Sequence, residues 1–125
     1  MPTATKTKKI LIAEDEKPMA KAMELKLNNS GYDAKAVFNG LEVLEALKAD
    51  KYDLLLLDLM MPQMDGFGVL EAIKKQKINI RVIIASNLSQ DDDIKKATSL
   101  GAIDYYIKSD TSLFEIVEKV KNHLK

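Results

Sequence analysis

Five polar residues of this 125-residue sequence come immediately after short apolar runs. They follow the runs 10–13, 54–57, 82–85 and 103–107, and in chain order they are Glu14, Asp15, Asp58, Ser86 and Lys108. Carboxylate oxygens bind hard cations, while an ammonium or a hydroxyl donates hydrogen bonds to anionic oxygens. If the runs are neighbouring strands, these side chains converge on one edge of a sheet.

The apolar runs alternate with amphipathic stretches along the whole chain. Together with a run at 33–37 they predict five strands, each followed by a helix, and hence a parallel sheet covered by helices on both faces. The second run carries charges in its middle and the fifth is less apolar, so both are predicted to be edge strands. This favours a flavodoxin-like α/β fold, a three-layer sandwich whose five parallel strands follow the order 2-1-3-4-5, with five helices.

The stretches between the strands carry helix signals. Lys17-Pro18 opens the first helix, since proline is tolerated in a first turn, and Gly31 is placed to end it. Ser89 and Asp92 have the spacing of a capping box at the fourth helix. Helical spacing predicts the buried faces of the first two helices, namely Met19, Ala22, Met23 and Leu27 in the first and Leu41, Leu44 and Leu47 in the second.

The order 2-1-3-4-5 places strands one and three on either side of the crevice where such sheets bind ligands. A single polar residue after a strand is typical of a helix cap or a solvated loop. Taken by itself, Ser86 is best interpreted in this way. Three carboxylates together repel one another and need a cation. Counting them as minus three and Lys108 as plus one leaves minus two, which one divalent cation neutralises. Oxygen ligands without cysteine or a nearby histidine favour Mg²⁺ over zinc.

Composition excludes several classes of protein. The 19 basic residues balance the 19 acidic ones, which argues against direct binding to nucleic acid. No apolar run approaches the roughly 20 residues of a membrane span, and the N-terminus lacks the apolar segment of a signal peptide. The absence of cysteine fits a reducing compartment, so a cytoplasmic protein is expected. Residues 1–7 are expected to form a disordered tail before a single domain at 8–125.

At these positions the sequence resembles the receiver domains of two-component response regulators, in particular the chemotaxis-type single-domain receivers. The resemblance extends from Lys8 to Lys125. The acidic pair of that family matches Glu14-Asp15, and its phosphoacceptor matches Asp58, which is followed by Pro62 and by Asp65-Gly66. The remaining matches are the hydroxyl position at Ser86, the lysine at Lys108 and the aromatic switch residue, three positions before that lysine, at Tyr105.

The resemblance implies a specific chemistry. Asp58 takes a phosphoryl group from a phosphohistidine on a sensor histidine kinase or a histidine phosphotransferase. Asp15, Asp58 and the backbone carbonyl of Met60 hold Mg²⁺, with Mn²⁺ as an alternative, and Glu14 acts on the metal through water. The domain is then a phosphoacceptor that catalyses only its own phosphorylation and dephosphorylation, and not an enzyme acting on other substrates.

The same resemblance implies a switch. Lys108 and Ser86 contact the phosphoryl group, Ser86 moves toward it, and Tyr105 rotates inward. The fourth helix, fifth strand and fifth helix then change their binding to an output protein, whose identity the sequence does not reveal.

Two residues depart from the family pattern. Ser109 stands where a proline usually follows the lysine, and Asn87 stands where a small residue usually follows the hydroxyl. Asn87 is therefore expected to modulate access to Asp58. His123 is expected to be a solvated residue at the end of the last helix, and Tyr106 a packing residue.

Three alternatives remain. The chain is a receiver cut from a longer regulator with a DNA-binding or enzymatic output domain, or a scaffold that docks without being phosphorylated. The third is a Mg²⁺-dependent phosphatase that forms an aspartyl phosphate. Met60 disfavours the phosphatase, because such enzymes commonly need a second acid at that position, two residues after the nucleophile.

Overall fold

The computed structural model describes residues 7–125, so the predicted tail, except for Thr7, lies outside the described residues. Strands and helices alternate throughout this part of the chain. The strands are β1 Lys9–Ala13, β2 Asp33–Val37, β3 Leu54–Leu57, β4 Arg81–Ser86 and β5 Asp104–Ile107. The helices are α1 Lys17–Asn29, α2 Gly40–Ala49, α3 Gly66–Lys75, α4 Asp91–Ser99 and α5 Leu113–His123, with a short 3₁₀ turn at Lys108–Asp110.

The five strands form one parallel sheet in the order β2-β1-β3-β4-β5. The predicted flavodoxin-like fold is therefore confirmed, with β2 and β5 at the edges. Ala13 of β1 is level with Leu57 of β3, and Ser86 of β4 is level with Ile107 of β5. Residues that follow these strands consequently emerge at the same edge of the sheet.

The four leucines of β3 hold the centre of the molecule. Leu54 and Leu56 pack into the core under α1 and α5, while Leu55 and Leu57 pack into the core under α2, α3 and α4. All four are at most 1% exposed. Because side chains alternate along a strand, an unbroken apolar run is what a strand covered on both faces requires. The residue after this strand is anchored by two hydrophobic cores.

Two of the predicted helix faces were partly wrong. In α1 the buried residues are Ala20, Met23 and Leu27, whereas Met19 and Ala22 are exposed. In α2 the buried residues are Gly40, Val43 and Ala46, and Leu41 is 44% exposed. A Cβ on Gly40 would lie 2.2 Å from the carbonyl oxygen of Met64. The start of α2 thus lies so close to the chain after β3 that a glycine must face inward, which rotates the helix relative to the leucine pattern.

Helix starts also differ from one expectation. The N-cap of α4 is Gln90, with no side-chain cap, so the capping box predicted at Ser89 is wrong. A capping box instead opens α5, where Ser112 and Glu115 bond to each other's backbone N–H groups. Gly31 has φ +98°, as expected of the residue that ends α1. Within residues 7–125, every helix is too short or too polar to cross a lipid bilayer.

Candidate functional site

The predicted site residues meet at the carboxyl edge of the sheet. Within the described part of the chain, Glu14, Asp58 and Ser86 are the buried polar or charged residues, and each is at most 4% exposed. Asp15 is exposed beside them. One carboxylate oxygen from each of the three acids lies within 4.8 Å of the others. This acidic cluster offers only oxygen ligands, the kind that hard divalent cations prefer.

Backbone contacts hold the buried acids in place. The Asp58 N–H donates to the Ala13 carbonyl at 3.0 Å, and the Glu14 N–H donates to the Val37 carbonyl at 3.1 Å. Gly66 closes the turn after β3, where an added Cβ would lie 2.6 Å from the Asp58 carbonyl oxygen. The hydrogen bonds of the sheet therefore continue one residue beyond β1 and β3. They fix the backbone positions of Glu14 and Asp58.

Lys108 bridges the two buried acids. Its Nζ donates to Glu14 Oε1 at 2.7 Å and to Asp58 Oδ2 at 2.8 Å, and its side chain is 12% exposed. Burial alone would lower the pKa of Lys108, but these hydrogen bonds outweigh burial and raise the pKa. Burial raises the pKa of Glu14, against the opposing effect of the Lys108 hydrogen bond. The ammonium therefore stays charged beside carboxylates that outnumber it.

The remaining carboxylate oxygens are bound by backbone N–H groups. Asp58 Oδ1 accepts from the Met60 N–H at 3.1 Å, and Glu14 Oε2 accepts from the Glu16 N–H at 3.1 Å. Met60 is 57% exposed, and it lines a surface pocket together with Asp15. Both buried acids are thus oriented by the protein, while the exposed Asp15 faces the solvent.

Ser86 and Tyr105 are connected through the backbone of Leu88. The Tyr105 hydroxyl donates to the Leu88 carbonyl at 2.5 Å, and the Leu88 N–H donates to Ser86 Oγ at 3.3 Å. Burial raises the pKa of Tyr105, which keeps its hydroxyl protonated as a donor. The aromatic ring is already attached to the loop between β4 and α4, residues 87–90. The role of Leu88 could not be predicted from the sequence, because both contacts are made by its main-chain atoms and do not depend on its side chain.

Asn87 and Ser109 contact each other across two loops. The Ser109 N–H donates to Asn87 Oδ1 at 2.9 Å. The Lys108–Ser109 peptide bond is trans. Both residues were singled out in the sequence as departures from the family pattern, but nothing in their types or spacing indicated that they are partners.

A second polar cluster lies away from the site, between β5 and α5. His123 Nε2 is 2.7 Å from Asp104 Oδ2, and the Tyr106 hydroxyl donates to the same oxygen. His123 is therefore half-buried and paired, contrary to the expectation of a solvated residue. Tyr106 packs against the core under α1 and α5, as expected, and also bonds to Asp104.

The comparison with known families settles which proteins this chain is related to. A family model of the response regulator receiver domain matches residues 10–121, which include all the residues of the edge described above. The chain belongs to this family. It is thus a receiver domain of the kind found in two-component response regulators.

Individual relatives agree with this assignment. The receiver domain is 33% identical over 101 residues to the alkaline phosphatase synthesis transcriptional regulatory protein PhoP of Bacillus subtilis, a match that covers 81% of this chain and 42% of PhoP. The chain spans less than half the length of the curated relatives it matches.

Solved structures match over nearly the whole receiver domain. The Francisella response regulator 1452 receiver domain superposes with a TM-score of 0.86 at 33% identity, over 92% of this chain and 94% of that one. TrrA of Thermotoga maritima, in complex with Mg(2+)-BeF, superposes with a TM-score of 0.80 at 31% identity, over 93% of this chain and 98% of that one.

Proposed function

We propose that this receiver domain accepts a phosphoryl group on Asp58 from a phosphohistidine of a sensor histidine kinase or a histidine phosphotransferase. The observation that carries the proposal is the position of Asp58, which is 4% exposed at the end of the central strand and 2.8 Å from Lys108 Nζ. A carboxylate held by backbone and lysine hydrogen bonds is a fixed nucleophile, and phosphoryl transfer depends on such positioning more than on covalent help.

The transfer proceeds by in-line displacement at phosphorus. An oxygen of Asp58 forms the new P–O bond while the P–N bond to the donor imidazole breaks, and the imidazole keeps the electron pair of that bond. The product is an aspartyl phosphate. Lys108 Nζ, already within hydrogen-bond distance of Asp58, offers its positive charge to the phosphoryl oxygens during transfer and afterwards.

A divalent cation fits the acidic cluster. Asp15, Asp58 and the backbone carbonyl of Met60 would hold Mg²⁺ or Mn²⁺, and Glu14 would act through water. When bound, the cation supplies positive charge to the phosphoryl oxygens. The all-oxygen donor set supports this assignment, as does the Mg(2+)-BeF complex of the related TrrA.

The product is sensed through Ser86 and Tyr105. Ser86 Oγ accepts a hydrogen bond from the Leu88 N–H, and its own hydroxyl would donate to a phosphoryl oxygen once the modification forms. Movement of Ser86 toward that oxygen shifts Leu88, and Tyr105 follows because its hydroxyl bonds to the Leu88 carbonyl. The surface of α4, β5 and α5 then changes its affinity for an output protein.

A receiver within a longer transcriptional regulator is the second candidate. It is favoured because matched relatives such as PhoP are named transcriptional regulators and the chain spans 42% of PhoP. In that case the output is a DNA-binding domain on the same polypeptide. The sequence of the complete gene distinguishes this case from a separate output protein, since a reading frame that continues past Lys125 supports the longer regulator.

The test of phosphorylation uses a small donor. We expect incubation with acetyl phosphate and Mg²⁺ to add one phosphoryl group, detected by intact mass spectrometry. The adduct should be stable in mild acid and labile in base, and it should not form when Mg²⁺ is chelated before the donor is added. Asp58→Asn should abolish it, because the amide is not a nucleophile of comparable strength.

Two outcomes contradict the proposal. Absence of an adduct with acetyl phosphate and with phosphoramidate favours a scaffold that docks without phosphorylation. Rapid turnover of many phosphate esters, measured as released inorganic phosphate, favours a phosphatase. Asp33→Asn, which changes an exposed aspartate at the start of β2 and outside the acidic cluster, is the matched control and should form the adduct like the unmodified protein.

A further inference from the structure

The hydrogen bond between Asn87 and Ser109 joins the two segments that carry the phosphoryl-binding side chains. Asn87 follows Ser86 directly, and Ser109 follows Lys108 directly. The bond runs from the Ser109 N–H to Asn87 Oδ1 at 2.9 Å. A proline at position 109 has no N–H to donate, so this contact depends on both departures from the usual pattern.

The 3₁₀ turn at Lys108–Asp110 has few other attachments through its backbone. Its own closing bond, from the Thr111 N–H to the Lys108 carbonyl, is 3.3 Å long. Among the hydrogen bonds of the described residues, the one to Asn87 is the bond that fixes the backbone of this turn to the loop at 87–90. The turn is the base from which the Lys108 side chain reaches Glu14 and Asp58.

We propose that Asn87 is a positioning residue for Lys108. By accepting the Ser109 N–H, its amide oxygen keeps the 3₁₀ turn in the position from which Lys108 Nζ reaches Asp58. Asn87 thereby affects phosphoryl transfer through the lysine, and not by covering Asp58 with its bulk. The inference rests on the proposed phosphorylation of Asp58.

Two roles of Asn87 can be distinguished: a tether, in which its amide oxygen holds the 3₁₀ turn of Lys108, and a shield, in which its bulk covers Asp58. The geometry favours the tether. Asn87 is an exposed residue whose side-chain oxygen is engaged with the turn after β5, whereas Asp58 is contacted by Lys108 and Met60. A tether also links the two contacts to the phosphoryl group. When Ser86 moves toward the phosphoryl group, the adjoining Asn87 moves with it and displaces the 3₁₀ turn that carries Lys108.

Two substitutions of different size separate the two roles. Asn87→Leu removes the acceptor but keeps the branched outline and the number of heavy atoms of the side chain, and Asn87→Ala removes the acceptor and the bulk. A tether predicts that both variants slow adduct formation from acetyl phosphate alike, by about two- to tenfold, which is the factor that one net hydrogen bond supplies. A shield predicts a faster Asn87→Ala and no gain in rate for Asn87→Leu, whose side chain is at least as bulky as that of asparagine. Asn79→Leu, at an exposed asparagine outside both loops, is the control and should react normally.

Dependence on the lysine is tested in a second background. In Lys108→Met, the further change Asn87→Leu should have no effect on the rate, because the group that Asn87 positions is gone. Hydrogen exchange of the Ser109 amide, followed by NMR in Asn87→Leu, should become faster whether or not the protein is phosphorylated.

The outcomes are distinct. A faster Asn87→Ala, an unchanged Asn87→Leu, or an undiminished effect in the Lys108→Met background overturns the inference while the proposed function stands. No adduct on the unmodified protein overturns the proposed function itself and with it a role in phosphoryl transfer. In that case the Ser109 exchange rate still decides whether the tether exists: an unchanged rate in Asn87→Leu would overturn the tether as well.

Discussion

Lys108 is the residue on which the electrostatics of the site depend. It is the cation that contacts both buried carboxylates, at 2.7 Å and 2.8 Å, and its own side chain is 12% exposed. A buried charge left without its partner is costly, because neither water nor a counter-ion compensates it. The ammonium is therefore a structural element of the domain, in addition to its proposed contact with a phosphoryl group.

Lys108→Met should lower the free energy of unfolding by about 3 kcal/mol in the absence of divalent cations, as expected when one partner of a buried ion pair is removed. Urea denaturation followed by circular dichroism at neutral pH measures the change. The matched control is Lys121→Met, because Lys121 pairs with Glu118 at 3.4 Å on the surface. That variant should change stability by less than about 1 kcal/mol. Equal effects of the two substitutions would contradict the role assigned to Lys108.

The residues of the edge were predictable because each directly follows an apolar strand. Glu14, Asp15, Asp58, Ser86 and Lys108 needed only the strand order to be placed together. Their hydrogen bonds were not predictable. Leu88 joins Ser86 to Tyr105 through main-chain atoms, and the partnership of Asn87 with Ser109 depends on how two loops bend.

Among the helices and strands, β5 and α5 are joined by a polar clamp. Asp104 at the start of β5 lies next to Tyr106 and to His123 at the end of α5. Lys119 of α5 also lies over the Tyr106 ring, 5.6 Å from its centroid. Both elements belong to the surface proposed to bind the output protein. The clamp therefore fixes how the edge strand and the last helix lie relative to each other.

The clamp should make stability depend on acid pH. Burial alone would raise the pKa of Asp104, but hydrogen bonds from Tyr106 and His123 outweigh it and hold the pKa below its ordinary value of 3.8. A carboxyl with a lowered pKa stabilises the folded state above its ordinary pKa and loses that contribution as the pH falls through the lowered value.

Asp104→Asn should therefore be less stable than the unmodified protein at pH 6. The difference between the two proteins should shrink as the pH falls below about 4. Thermal unfolding at a series of pH values measures it. Asp91→Asn, at an exposed aspartate in the first turn of α4, is the control. A difference that stays constant down to pH 3 would contradict the clamp.

The elements themselves were predicted better than their faces. Five strands, their order and the two edges follow from apolar runs, while the rotations of α1 and α2 did not follow from helical spacing. In α2 the predicted leucines at 41, 44 and 47 are each offset by one residue from the buried positions 40, 43 and 46, although Leu47 still packs against the core while partly buried. The glycine that meets Met64 decides the orientation, and that contact lies outside the helix. The start of α4 was missed for a similar reason, since Leu88 is held by Ser86 and Tyr105 and helical geometry begins only after Gln90.

For the domain as a whole, the sheet separates two cores and brings the chemistry to one edge. The core under α2, α3 and α4 includes the ring of Tyr105, and the core under α1 and α5 includes the ring of Tyr106. The two tyrosines of β5 therefore face opposite layers, so that β5 contacts both cores beside the surface proposed to bind the output protein. This is the arrangement that a receiver domain needs to convert a modification into altered binding.

The most direct test of the central claim is to locate the phosphoryl group by chemical reduction. Borohydride converts an aspartyl phosphate to homoserine, so peptide mass spectrometry after treatment with acetyl phosphate, Mg²⁺ and borohydride identifies the modified carboxylate. Homoserine at position 58, and its absence when the donor is omitted, is the predicted result. Homoserine at Asp15 or at another acid, or a phosphoryl group retained on His123 or a serine, would contradict the assignment of Asp58.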